Sequence, residues 1–227
     1  YPALLVIGQL IDAIESGKYD PHKVALMLPQ TGGGCRASNY IYLLRKALVK
    51  LGYEYIPVIS LNFSGMEKDA NPGFQLTGRM IIQIAYGALL GDLIMQIYNQ
   101  CRPYIVQKGA ADKVVDELIE KITDDFDKSR IIRYKQVRAL MNLIVKRFAE
   151  LEMKDFGSKP KVGIVGEIYV KFSPLGNNNL EKFLLGEGTE PVLPGLIDFC
   201  MYWILNHIYD YQLYGRGAKA VLVMKYL

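Results

Sequence analysis

Apolar positions recur along this chain in two rhythms, helical spacing and short unbroken runs, and they predict alternating helices and strands. Leu4, Leu5, Ile7, Leu10, Ile11 and Ile14 keep helical spacing after Pro2 and stop at Gly17, which predicts a first helix. After a turn over 18–22, the run Val24 to Leu28 predicts a buried strand. Tyr40, Ile41, Leu43, Leu44, Ala47, Leu48 and Leu51 predict a helix over 39–51, closed by Gly52. Residues 55–61 predict a second strand, so the chain begins with a helix and then a right-handed βαβ unit.

The pattern changes after an irregular loop over 62–74. A long helix is predicted over 76–100, ended by Arg102-Pro103, followed by amphipathic helices over 110–123 and 131–152. Asp124, Asp125 and Asp127 lie between these two in a spacing that fits no calcium loop and predicts a solvated acidic turn. Beyond Lys159-Pro160, residues 161–166 repeat the strand-into-glycine pattern. A helix opening at Leu180, a short strand over 190–193, an aromatic helix over 196–213 and the start of another at Ala218 complete the chain. The expected organisation is a first βαβ unit over 1–75, a helical segment over 76–158 and a second α/β segment over 159–227 that stops within a helix. The expected fold is α/β: a Rossmann-like, doubly wound parallel sheet with flanking helices and a long helical insertion.

Ligands in such sheets sit beyond the carboxyl ends of the strands. That rule places Gly32, Gly33, Gly34 and Cys35, then Asn62, then Gly166 and Glu167, along one rim. The glycines permit a sharp turn and a close approach to main-chain N–H donors. A thiol just ahead of a helix start lies at the positive end of the helix dipole, a position that favours thiolate. Three chemistries stay open for this loop: a plain tight turn, an anion cradle and a thiolate ligand to a metal or cluster. It matches neither the dinucleotide fingerprint nor the P-loop. Asn177, Asn178 and Asn179 suit either a helix cap or a polar ligand.

Bulk properties exclude more than they assign. A net charge of +4 without any lysine–arginine block gives no case for nucleic acid. The longest uncharged apolar run, Met80 to Gly91, has 12 residues, short of the roughly 20 a membrane span needs. No signal peptide is apparent, and three scattered cysteines without a CxxC argue for a reducing, cytoplasmic compartment. Two isolated histidines, His22 and His207, argue against a histidine-based zinc or non-haem iron site and give no case for a Ser-His-Asp triad.

The stretch Gln30-Thr31-Gly32-Gly33-Gly34-Cys35-Arg36-Ala37-Ser38-Asn39-Tyr40 resembles the 2-hydroxyacyl-CoA dehydratase and activase-related proteins, often called the CoA-substrate-specific enzyme activase family. The likeness continues through Pro57 to Asn62, Asn71 to Phe74, Arg102 to Tyr104, Gly163 to Glu167 and Asn177 to Asn179. The family's Cys-Tyr-Pro opening falls on Tyr1-Pro2, which puts its cysteine just ahead of the first residue. The resemblance implies Rossmann-like domains holding an iron–sulfur cluster, of the 4Fe-4S kind, through cysteine thiolates at the strand ends. It implies an ATP-dependent activase as partner, a CoA thioester as substrate, and an anaerobe's cytoplasm as setting. In the dehydratases a single low-potential electron gives a ketyl radical, from which water leaves. Cys35 is the residue carried over as metal ligand. Gln30, Thr31, Gly32, Gly33, Gly34, Arg36, Asn39, Asn62, Glu167, Asn177 and Asn178 are carried over as cofactor-binding. Cys101 and Cys200 match no motif position and are expected to be structural thiols. The function implied is that of a lyase-like domain or a reductase component, with a non-catalytic phosphate- or CoA-binding module as the alternative. An oligomer is compatible with either.

Overall fold

In the computed structural model the described residues are 1–30, 35–62, 77–129, 131–154 and 157–215. In chain order the elements are α1 (Pro2–Glu15), β1 (Leu26–Gln30), α2 (Tyr40–Leu51), β2 (Val58–Asn62), α3 (Gly78–Cys101), α4 (Ala110–Lys128) and α5 (Tyr134–Ala149). After them come β3 (Lys161–Gly163), α6 (Ile168–Phe172), α7 (Pro174–Asn177), α8 (Leu180–Gly186), β4 (Glu190–Val192) and α9 (Leu196–Tyr214). The chain divides into two compact units. The first holds Tyr1–Thr77 with Ile168–Asn178, and the second holds Gly78–Glu167 with Asn179–Leu227.

The first unit contains the βαβ unit that the hydrophobic pattern predicts. β1 and β2 pair in parallel, Leu26 opposite Val58 and Gln30 opposite Asn62, and parallel strands require a crossover such as α2. Ile41, Leu44 and Leu48 of α2, spaced as one helical face, are buried with Leu26, Leu28, Ile56, Val58 and Ile14. Burying each such side chain stabilises by about 1.5–3 kcal/mol. Gly52, at φ 77°, ends α2 in the left-handed conformation. β1 lies two residues later than expected and is buried on one face only. Leu26, Leu28 and Gln30 point inward, while Met27 and Pro29 point outward.

The second unit is built on three helices. Leu90 and Ile94 of α3, Ala111, Val114 and Leu118 of α4, and Val137, Leu140, Ile144 and Phe148 of α5 form one buried cluster. Each set recurs every three or four residues, so each helix gives one stripe to the core. α4 continues through the expected acidic turn. Lys121 pairs with Asp125 at 2.6 Å and Lys128 with Asp124 at 2.5 Å, both one helical turn apart. The span Gly78–Tyr104 is long and apolar enough to cross a membrane by length and composition, although the sequence pattern breaks at Asp92.

β3 and β4 pair in parallel within the second unit, Lys161 opposite Glu190 and Gly163 opposite Val192. The structure is thus mostly helical, with two separate, two-stranded parallel sheets. A doubly wound sheet running through both is not found among the described residues. Strands of three residues, as in β3 and β4, are too short to seed one.

Candidate functional site

The carboxyl edge of the β1–β2 pair brings several predicted site residues together, and Gln30 organises it. The side chain of this last residue of β1 is 5% exposed. Its Nε2 donates to the carbonyl of Ser38 at 2.9 Å, and its Oε1 accepts from Ser60 Oγ at 3.0 Å. One side chain therefore ties the end of β1 both to β2 and to the turn that follows. Gln30 is committed inside the fold, so its part in the site is to shape the edge. Ser60, fully buried on β2 opposite Leu28, is the positioning residue on the other strand. Nothing in sequence spacing signals a pair 30 residues apart.

Cys35, Arg36 and Asn39 stand on the surface beyond Gln30. A 3-10 turn over Arg36–Asn39 intervenes between Cys35 and α2, and Ser38 N donates to the Cys35 carbonyl at 3.2 Å. Cys35 itself occupies the N-cap position of that turn, without a side-chain cap bond. Asn39 occupies the N-cap position of α2 without a side-chain cap bond. Asn62 ends β2 directly opposite Gln30. Thr31, Gly32, Gly33 and Gly34 lie outside the described residues.

The remaining predicted residues belong to later segments of the chain. Glu167 is exposed and belongs to the second unit. Asn177 Nδ2 donates to the Lys171 carbonyl at 3.0 Å, while Asn178 and Asn179 both adopt left-handed backbone at φ 57°. Asparagine tolerates that conformation better than most residues, so the left-handed backbone at Asn178 and Asn179 accounts for two residues of the asparagine run. Within the first unit α6 and α7 pack against each other. Tyr169 donates to Gln9 of α1 at 2.6 Å, and a Cβ on Gly176 would lie 3.2 Å from the Val170 backbone.

All three cysteines are free. Cys35 and Cys200 are exposed, and Cys101 is half-buried at the end of α3. Burial first, and then the Glu190 carboxylate, push the Cys101 thiol up, which opposes a thiolate there. Glu190 itself is 4% exposed, held by Tyr104 Oη at 3.1 Å and by Lys161 Nζ at 3.2 Å. Tyr104 also accepts from the backbone N–H of Lys159 at 3.0 Å, so it joins the approach to β3 with the start of β4. His22 stacks on Tyr55 at 4.7 Å between ring centres, a packing role. Among the described residues no three His, Cys, Asp or Glu side chains group as a metal site.

Comparison of the chain with family models, curated proteins and solved structures finds no match.

Proposed function

We propose that the chain is a dehydratase-like, cluster-binding component of an activase-related system. It would act in low-potential electron transfer or in the reduction and dehydration of a CoA thioester, in the cytoplasm of an anaerobe. The observation that carries this reading is the exposed Cys35 at the carboxyl edge of a parallel strand pair, where α/β folds hold their ligands. In this reading β1–α2–β2 is part of a Rossmann-like, doubly wound sheet.

The described residues do not fit a four-thiolate cluster ligated by this chain alone. Cys101 is half-buried with its thiol disfavoured as thiolate, and among the described residues Cys35 belongs to no group of three or more His, Cys, Asp or Glu side chains. The proposal therefore gives this chain one thiolate, Cys35, with the other ligands from outside the described residues. Gln30 and Ser60 hold the edge in shape, and Arg36 follows the thiol directly in the chain.

Iron and acid-labile sulfide, measured in anaerobically prepared full-length protein with its activase, test the proposal. Both should be present there, and nearly absent from the isolated chain purified in air. Full occupancy in the isolated, air-exposed chain would contradict it and give a ligand role to Cys101 or Cys200. The same absence of grouped ligands favours a second reading, a non-catalytic phosphate- or CoA-binding module with Cys35 incidental. That reading expects CoA to bind equally well to wild type and to Cys35→Ser by calorimetry.

A further inference from the structure

α9 packs against α3 within the second unit, and its start is tied down there. Asp92 of α3 accepts from Leu196 N at 2.9 Å and from Ile197 N at 2.6 Å. Asp198 Oδ2 accepts from Gly195 N at 2.8 Å and from Gln96 Nε2 of α3 at 3.3 Å. These bonds hold the helix in one rotational setting. Ile197, Ile204 and Ile208 are partly buried in that setting, whereas a second set of apolar side chains faces water.

That second set is Phe199, Tyr202, Leu205, Tyr209 and Leu213. They recur every three or four residues, so they form one stripe along about 20 Å of the helix. Each is between 45% and 71% exposed. A whole aromatic side chain has about 150–250 Å² to bury, which leaves roughly 500 Å² of apolar surface uncovered on the stripe. The largest apolar patch on an ordinary monomer is about 300–600 Å² and often marks an interaction site. None of the five carries a charge, so a charged partner finds nothing here to pair with. A second copy of the same stripe meets no like charge either. Asp198, at the first turn, has its carboxylate held by Gly195 and Gln96. Asp210 borders the stripe towards its far end.

We propose that α9 is a dimerisation helix, and that two copies of the chain pack stripe to stripe about a two-fold axis near Leu205. Such an interface uses one patch twice, and antiparallel helices carry the two Asp210 side chains to opposite ends of it. The two stripes together bury roughly 1,000 Å², the size at which specific interfaces begin. The exposed Met201 and Tyr214 extend the contact beyond that. Tyrosine rings suit this position, because their faces pack while their hydroxyls reach water at the rim. The surface is independent of Cys35.

Sedimentation equilibrium on the full chain tests it. Wild type should be a dimer at micromolar concentration. Leu205→Lys and Tyr209→Lys replace exposed side chains, so circular dichroism should show the fold intact, and each should weaken association by roughly tenfold or more. Val145→Lys, on an exposed position of α5, should leave the dimer unchanged. Mixing Leu205→Lys with Leu205→Glu should restore a dimer, because a residue near the axis meets its own copy. The proposal is overturned if wild type is monomeric, if both lysine variants associate as wild type does, if Val145→Lys dissociates the dimer equally, or if the mixed variants do not re-associate. A monomer that binds phosphatidylcholine vesicles through the same stripe would also overturn it, in favour of a lipid surface.

Discussion

Replacing Gly195 by alanine drives a methyl group into the Asp92 carboxylate. An alanine Cβ would lie 2.5 Å from Asp92 Oδ2 and 2.6 Å from its Cγ, well inside contact distance. The backbone there, φ −70° and ψ 170°, suits alanine, so the cost comes from the clash and not from strain. Asp92 is too short to yield without breaking its bonds to Leu196 N and Ile197 N. Hydrogen bonds to charged groups contribute about 1.5–3 kcal/mol each, which gives roughly 3–6 kcal/mol for two. The Leu196 amide is exposed, so water replaces part of its bond, and about 2–4 kcal/mol remains. Hydrogen exchange reads this locally: amides in the first turns of α9 should lose protection by roughly 30- to 700-fold, at about 1.4 kcal/mol per tenfold. Asp92→Ala removes the same two bonds, so the double variant should cost no more than Asp92→Ala alone. Unchanged protection in Gly195→Ala, or additive losses in the double variant, would refute the reasoning.

Other expectations rest on separate parts of the structure. Gln30→Leu leaves the Ser60 hydroxyl and the Ser38 carbonyl without their shared partner and should cost about 1–3 kcal/mol in urea unfolding, more than an exposed substitution such as Asn39→Ala. Burial and the hydrogen bond to Asp112 push the Tyr98 phenol up to about 12 from 10.0, against a smaller opposing effect of Arg102. The proton is held more tightly in the folded state, so this contribution is complete below pH 10 and is lost as pH rises towards 12. Tyr98→Phe should remove one late-titrating tyrosine from the absorbance titration and flatten the loss of stability in that window. At neutral pH, iodoacetamide should modify Cys35 and Cys200 well before Cys101, and Glu190→Gln should speed modification of Cys101, both resolved by peptide mass spectrometry.

Local periodicity made the first unit legible. Ile41, Leu44 and Leu48 mark the buried face of α2 in the sequence itself, and Gly52 marks its end. The same logic shows α3, α4 and α5 but misplaces the end of α4. Asp124 and Asp125 look like a turn until Lys121 and Lys128 are placed one helical turn away. What stayed hidden depends on distant pairs. Gln30 reads as a ligand-binding residue because its partner Ser60 lies on another strand. Asn99 is inconspicuous in a long apolar helix, and only its missing partners distinguish it. Asn178 and Asn179 suggest chemistry in the sequence, whereas their left-handed backbone explains them.

The central claim is that Cys35 gives the chain's one thiolate to a shared cluster, and a single comparison tests it. Iron and acid-labile sulfide are measured per chain in anaerobically prepared full-length protein, wild type against Cys35→Ser, with the fold checked by circular dichroism. Cys35 is exposed and its side chain holds no cap bond, so serine should leave the fold intact. The account predicts a loaded wild type and a folded Cys35→Ser protein that loses most of both elements. Equal iron and sulfide in the two proteins, or neither in wild type, would contradict it.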